Sequence, residues 1–150
     1  MTLKEKINDD LKSAMKSGDK VRLQTIRSIR ALILEHEKSG KEKELSPEEE
    51  INLLTAASKK RKESIEQFRN GGREELAEKE EKELQIIQEY LPKQLSKEEV
   101  CREVKRIATD LGASSKADFP KLMPAAIKAL KGKTDGKIVK ECVEQVLGGN

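Results

Sequence analysis

The chain has 150 residues, of which 39% are charged, 35% are hydrophobic and 2% are aromatic. Its 31 basic residues nearly balance 28 acidic ones, which gives a formal net charge of +3 at pH 7 and argues against disorder. No apolar run approaches the roughly 20 residues of a membrane span, so we expect no membrane partner. The length suits one domain or two small ones, with an aliphatic core because tryptophan is absent.

Residues that bind metals or form disulfide frameworks are scarce. Cys101 and Cys142 lie far apart without a CxxC pattern, which argues against a zinc ribbon and a disulfide scaffold. Cys142 lies beside Val139 and Val143 and is expected in the core. The only histidine, His36, cannot form a metal cluster, so we expect no metal and no cofactor. The N-terminus lacks an apolar signal core, which makes a reducing cytoplasm the expected location.

Four helices are predicted in the first 91 residues. Capping boxes, in which a Ser or Thr and a Glu three residues later satisfy each other's backbone amides, mark helix starts at Thr2 and Ser46. Apolar stripes at helical spacing place Met15 of the first helix and Leu76 of the fourth in the core. The helices are expected at 3–16, 20–37, 47–70 and 74–91, with a polar loop at 39–45.

Three shorter helices are predicted after Pro92, which ends the fourth helix because the residue before a proline resists the helical conformation. Ser96 caps the first of them through another capping box, and a turn at 132–136 precedes the last. Asp118 is expected to cap the middle helix, and Pro124 is expected to delay or kink it.

These elements predict an all-α protein with two helical domains, because no segment alternates apolar and polar residues as a strand does. The first, residues 1–92, is expected to resemble a four-helix bundle, and the second, residues 93–150, to be a three-helix tail. The first 91 residues hold 19 basic and 20 acidic residues, whereas the remainder hold 12 basic and 8 acidic ones. The positive excess therefore lies in the tail.

Charged residues within apolar helix faces indicate ion pairs. Arg61 falls in the apolar arc of the third helix, Glu80 and Glu83 lie on that of the fourth, and Arg22 lies among the isoleucines of the second. Desolvating an unpaired charge is very costly. We therefore expect Arg61 to pair with Glu80 or Glu83, and Arg22 with a nearby carboxylate. A register-fixing ion pair is favoured over a catalytic carboxylate pair, because a neighbouring arginine makes a carboxylate a poorer base.

The tail also holds a set of basic residues that predicts a nucleic-acid contact. The start of its last helix exposes backbone amides that can hold a phosphate, and lysines nearby add charge. A solvated surface remains the alternative. Because aromatic residues are scarce, contact with the backbone of a folded RNA is favoured over stacking on single-stranded bases. The candidate residues are Lys121, Lys128, Lys131, Lys133, Lys137 and Lys140.

No catalytic residue is predicted. The sequence holds no GxSxG segment, no glycine-rich phosphate loop and no HExxH segment, and neither cysteine has a catalytic motif around it.

Five segments in matching order resemble the motifs of the GatB/YqeY family over essentially the whole chain. The most specific of them ends in Tyr90-Leu91-Pro92. One stretch departs from the family, because Pro124 lies where the middle tail helix usually shows a Met-Gly type segment. The segments are residues 11–16, 19–27, 60–68, 76–96 and 135–139.

The resemblance implies an all-helical fold with a three-helix tail. The tail is similar to the C-terminal appendage of the B subunit of the glutamine-dependent tRNA amidotransferase, which helps to bind tRNA. The favoured interpretation is a tRNA-binding or accessory protein without its own catalytic site, whose partner is tRNA or an enzyme that charges or amidates tRNA. One alternative, implied by the family label, is a carbon–nitrogen ligase that uses glutamine as amido donor. The other is a helical protein-interaction module. The oligomeric state stays open.

Overall fold

A computed structural model describes residues 1–39 and 44–148, and within them the all-α fold is confirmed. These residues form seven α-helices, one short 3₁₀ helix and no strand. Residues 40–43 of the expected polar loop lie outside the described residues. The helices are α1 (Leu3–Ser17), α2 (Lys20–Lys38), α3 (Pro47–Asn70), α4 (Glu74–Gln88), α5 (Lys97–Leu111), the 3₁₀ helix (Lys116–Asp118), α6 (Phe119–Leu130) and α7 (Gly136–Gly148).

The chain divides into two compact units, Met1–Leu91 and Pro92–Asn150. The N-terminal unit holds α1 to α4, and the C-terminal unit holds α5 to α7. The assignment of two domains, 1–92 and 93–150, stays a prediction.

The N-terminal unit packs four helices around an aliphatic core. α3 and α4 are joined only by residues 71–73, and a connection this short places two helices side by side in opposite directions. Gly72 has φ +73°, a left-handed conformation that glycine adopts without steric cost. The main cluster of buried apolar side chains in this unit consists of Leu3, Ile7, Ala14, Ile26, Ile29, Ile33, Leu54 and Ile87.

The three predicted capping boxes are confirmed. Complete capping boxes begin three helices, with Thr2, Ser46 and Ser96 at the cap positions. Each hydroxyl accepts a bond from the amide three residues later, and the glutamate there accepts one from the cap residue. These caps satisfy amides that otherwise have no partner inside the helix.

Two residues expected in the core of the N-terminal unit lie at its surface instead. Met15 is 58% exposed, because it lies at the edge of the buried arc that Leu3, Ile7 and Ala14 define. Leu76 is 38% exposed and lies in the first turn of α4, at the end of the helical hairpin.

The fourth helix also ends earlier than predicted, at Gln88 rather than at residue 91. The amides of Tyr90 and Leu91 bond to carbonyls three residues back. The chain therefore tightens into turns before Pro92, as the steric demand of a proline on its predecessors explains.

The C-terminal unit packs α5, α6 and α7 around a second core. Its fully buried side chains include Val100 and Val104 of α5, Leu122 of α6 and Val143 of α7. Gly112 closes α5 in the left-handed conformation, as its position after the last apolar residue indicated.

Two predictions for α6 hold only in part, because Asp118 lies at its N-cap position but its side chain does not cap the helix. The carboxylate of Asp118 bonds to no amide of α6, and accepts instead from the amides of Ser114 and Ser115 at 2.8 and 3.1 Å. It thereby stabilises the 3₁₀ turn that leads into the helix, and these two bonds lower the pKa of Asp118. Pro124 does not delay α6, which begins at Phe119 and continues through the proline. A kink at Pro124 stays a prediction.

The two cysteines form a disulfide that was not predicted from the sequence, where their spacing argued only against a zinc ribbon and a disulfide scaffold. Cys101 of α5 and Cys142 of α7 are bonded, with their Cα atoms 4.9 Å apart. Helix packing explains the pairing, because α5 and α7 contact each other and each cysteine lies toward the other helix. Cys142 is fully buried, as predicted, whereas Cys101 is partly exposed.

Candidate functional site

Four of the six candidate lysines lie around one end of the C-terminal unit. Lys128 lies in the last turn of α6, Lys131 and Lys133 flank Gly132 in the turn, and Lys137 lies in the first turn of α7. We call these four residues the basic turn. All but the partly buried Lys133 are exposed.

The preceding chain segment fixes the position of the basic turn. The side-chain amide of Gln94 donates a bond of 2.7 Å to the carbonyl of Gly132, and the backbone amide of Leu95 donates one of 2.9 Å to the carbonyl of Lys133. These bonds fix the backbone of the turn that carries the lysines. The lysine side chains therefore start from defined positions at the surface.

A groove of about 520 Å³ lies beside the basic turn, between α5 and the end of α6. Arg102 and Arg106 of α5 line it together with Lys133, above an apolar floor that includes Leu130. Sequence reasoning missed the two arginines. Their spacing of four residues on one helix was the available signal, but the direction in which they face depends on helix packing.

The groove is not uniformly basic. Glu99 and Glu103 also line it, and Glu103 accepts from the Arg106 guanidinium at 2.9 Å. The Ser96 cap lowers the pKa of Glu99, which keeps that carboxylate ionised. The strongest positive charge is therefore expected at the basic turn itself.

The remaining two candidate lysines lie elsewhere. The ammonium of Lys121 donates a bond of 2.7 Å to the carbonyl of Leu111, so it satisfies the C-terminal end of α5. It lies at the far end of α6 from the basic turn. Lys140 is exposed on α7, and Glu141 beside it pairs with Lys97 of α5 at 3.1 Å.

In the N-terminal unit, Arg61 contacts both carboxylates that the sequence indicated. Its Nη1 atom lies 3.1 Å from Glu80 and 2.8 Å from Glu83, so one guanidinium joins α3 to two turns of α4. Glu83 is only 6% exposed. Burial raises the pKa of Glu83, the positive charge of Arg61 lowers it, and repulsion from Glu80 raises it further.

Arg22 also has a carboxylate partner, but it is less buried than its position among isoleucines predicted. Its guanidinium donates two bonds to Glu89, at 2.8 and 3.3 Å, and lies 4.0 Å from Asp19. The side chain is 38% exposed. The bonds to Glu89 are the main cause that raises the pKa of Arg22.

These contacts border a cavity of about 730 Å³ that sequence reasoning missed. We call it the N-terminal cavity. The Tyr90 hydroxyl donates a bond of 2.5 Å to Asp10, and the ammonium of Lys6 lies 5.2 Å from the centre of the Tyr90 ring. Burial, followed by this bond, raises the pKa of Tyr90. Its charged and aromatic lining residues are Lys6, Asp10, Asp19, Arg22, Glu89 and Tyr90.

Residues 1–39 and 44–148 contain no group of three or more His, Cys, Asp or Glu side chains placed to hold a metal ion. Within the same ranges, no helix has both the length and the apolarity to cross a membrane.

The chain belongs to the Yqey-like protein family, whose model matches residues 4–147. It is 31% identical to the protein named "Altered inheritance of mitochondria protein 41, mitochondrial" of Pyrenophora tritici-repentis, across 95% of this chain and 80% of the relative. Proteins of the same name from Kluyveromyces lactis and Candida glabrata are 35% and 32% identical, across 87% and 86% of this chain and 68% and 69% of the relatives.

The names of these relatives correct one expectation. They place the relatives in mitochondria, which contradicts the cytoplasmic location inferred from the start of the sequence and the scarce cysteines. Amino-acid composition is a weak guide to the cellular compartment, because helical domains in the cytoplasm and in mitochondria build their cores and surfaces from the same residue types. The names also describe inheritance proteins rather than amidotransferase subunits.

Proposed function

We propose that this protein binds tRNA through the basic turn and serves as an accessory protein rather than as a catalyst. The observation that carries the proposal is the fixed cluster of four lysines at one end of the C-terminal unit. Lysine contacts phosphate without reading sequence, which suits recognition of a folded RNA by its backbone. The choice of tRNA rests on the resemblance of the tail to the amidotransferase appendage.

The two arginines of the adjacent groove support an extended contact, although Glu103 offsets part of the charge of Arg106. A duplex RNA presents phosphates on both sides of its shallow groove, and Arg102 and Arg106 continue the charge of the basic turn onto α5. Only one aromatic residue, the partly buried Phe119, lies in the C-terminal unit. Base stacking therefore contributes little, and we expect tRNA to bind more tightly than single-stranded oligouridine of equal length.

The test is a filter-binding titration of the whole chain with tRNA between about 50 and 200 mM salt, a range over which counterion release weakens phosphate contacts strongly. The variant carries Lys131→Glu, Lys133→Glu and Lys137→Glu. A matched control carries Lys12→Glu, Lys59→Glu and Lys60→Glu, three exposed lysines of the N-terminal unit. Both variants change the net charge equally and reverse it in different units, although Lys133 is partly buried and the three control lysines are exposed.

We expect the tail variant to lose at least tenfold in affinity and the control to lose much less. The salt dependence of the tail variant should also flatten, by roughly 0.7 to 0.9 in the logarithmic slope for each phosphate that the protein no longer neutralises. Equal losses in both variants would show that net charge alone drives binding and would remove the basic turn from the proposal. If wild-type protein binds no tRNA at the lowest salt, the proposed function is wrong, and a protein partner or amide-transfer activity becomes the next hypothesis to test.

A further inference from the structure

The N-terminal cavity lies entirely within the N-terminal unit and has the size of a small-molecule site, which commonly encloses about 300 to 1,000 Å³. It collects residues that lie far apart in the sequence. Tyr90 and Asp10, which bond to each other, are 80 residues apart. Three of the segments that resemble family motifs contribute to it, through residues 11–16, 19–27 and 76–96.

The charged residues that line the cavity favour a cationic ligand. Three carboxylates, of Asp10, Asp19 and Glu89, face two cations, of Lys6 and Arg22. Arg22 is already held by Glu89 through two hydrogen bonds, so its charge is largely compensated. The lining therefore keeps a net negative charge and spare carboxylate lone pairs, which accept bonds from an ammonium group.

Backbone dipoles around the cavity add to this preference. The last turn of α1, through Ser13 and Ser17, and the residues that follow α4, Glu89 and Tyr90, both border the space. The C-terminal ends of helices carry partial negative charge and stabilise cations. The N-terminal end of α2 carries partial positive charge instead. The Asp19 carboxylate offsets it, because it accepts a hydrogen bond of 3.0 Å from the backbone amide of Arg22 there.

The ring of Tyr90 supplies the other element of ammonium recognition. Aromatic faces attract cations, and the chain itself places the Lys6 ammonium over this ring. We propose that the N-terminal cavity binds an alkylammonium group, with the carboxylates of Asp10 and Asp19 as charge partners and the ring of Tyr90 as the aromatic surface. The group belongs either to a free polyamine or to a lysine side chain of another protein, and the experiment separates these two sources.

The test uses hexamethylenediamine as the probe and follows the backbone amides of the full chain by NMR. Hexanediol, which has the same hydrocarbon length without charge, is the matched control ligand. We expect the diamine to shift the amides of Asp10, Ser13 and Glu89 saturably, and hexanediol to leave them in place. A short peptide with blocked termini and one lysine forms the second arm. Tighter binding of the diamine identifies a free amine as the ligand, and tighter binding of the peptide identifies a protein side chain.

Two variants that are expected to change the diamine affinity in opposite directions make the test specific. Asp10→Asn keeps an oxygen that accepts from Tyr90 but removes a charge, so diamine affinity should fall about fivefold. Lys6→Gln removes the competing ammonium from the exposed rim, so affinity should rise by a similar factor. A purely structural effect would weaken binding in both. Asp9→Asn, an exposed neighbour outside the lining, is the control and should change nothing.

Several results would overturn the proposal: equal shifts with hexanediol, unchanged affinity in Asp10→Asn, or an equal loss in Asp9→Asn. Tyrosine fluorescence provides a check on folding, because Tyr90 is the only tyrosine and tryptophan is absent. A variant with a wild-type unfolding midpoint by this signal reports binding rather than stability.

Discussion

Arg61 shows how one side chain can fix the register of two helices. A single nitrogen of its guanidinium contacts Glu80 and Glu83, and sliding α3 along α4 by one turn, about 5.4 Å, would break both contacts. The pairing could be predicted from the sequence, because a charge within an apolar arc needs a partner. The choice between the two glutamates could not, because both lie on the same face of α4 and the structure uses both.

At the residue scale, the raised pKa of Glu83 makes a prediction about pH. A carboxyl with a raised pKa in the folded state binds its proton more tightly there than in the unfolded chain. Its contribution to stability is full below its ordinary value of 4.5 and is lost as the pH rises through the folded value. Glu83→Gln removes this loss. The stability of the variant relative to wild type should therefore increase as the pH rises from the acidic range to neutrality.

Urea unfolding followed by Tyr90 fluorescence at several pH values measures this difference within the N-terminal unit. Glu78→Gln, which makes the same substitution at an exposed position of the same helix, is the matched control. A parallel pH profile for Glu83→Gln and wild type would contradict the assignment of the buried carboxyl.

The residues that line the N-terminal cavity could not be predicted from the sequence to lie together. Asp10, Arg22 and Tyr90 come from different parts of the chain and meet because of how α1, α2 and the end of α4 pack. A helical pattern predicts which face of each helix turns inward but not which residues at the ends of helices converge. The ion pair of Arg22 was therefore predictable in kind, whereas its exposed position at the rim of a cavity was not.

At the scale of elements, local chemistry decided most helix starts and ends. Capping boxes at Thr2, Ser46 and Ser96 depend on residues four positions apart at most, so sequence alone predicts them well. Asp118 was mispredicted because its carboxylate had two local choices, the amides ahead of it and those behind it. The amides of Ser114 and Ser115 were preferred, and a 3₁₀ turn precedes α6 as a result.

At the scale of elements, Pro124 leads to a prediction about the stability of the C-terminal unit. It lies inside α6, lacks an amide to donate to the preceding turn and is exposed, so replacing it with alanine loses no core packing. Pro124→Ala should stabilise the C-terminal unit by about 1 to 3 kcal/mol. Pro120→Ala is a matched control, because Pro120 lies in the first turn, where an amide has no helical partner.

Both substitutions increase the conformational entropy of the unfolded chain by the same amount. The difference between their effects on the free energy of unfolding therefore reports the cost of a proline in the helix interior. Circular dichroism during urea unfolding measures it, with Tyr90 fluorescence following the other unit. Equal effects at the two positions would show that α6 already accommodates Pro124 without strain.

At the scale of the whole molecule, the disulfide is the feature that sequence reasoning could least anticipate. Cys101 and Cys142 are 41 residues apart and no motif surrounds them, so only the packing of α5 on α7 reveals the pair. A unit of about 60 residues buries a small core and is marginal by itself. One covalent link between its first and last helices is therefore expected to contribute a large share of its stability.

Reducing this bond tests both its contribution and the division into two units. Releasing a loop of 41 residues should cost the C-terminal unit about 4 kcal/mol in the chain-entropy description. The loss should appear in circular dichroism, whereas Tyr90 fluorescence, which reports the N-terminal unit, should keep its midpoint. Reductant should have no effect on a Cys101→Ser, Cys142→Ala variant. A common shift of both signals would show that the units unfold together, and no shift in either would show that the bond does not stabilise the fold.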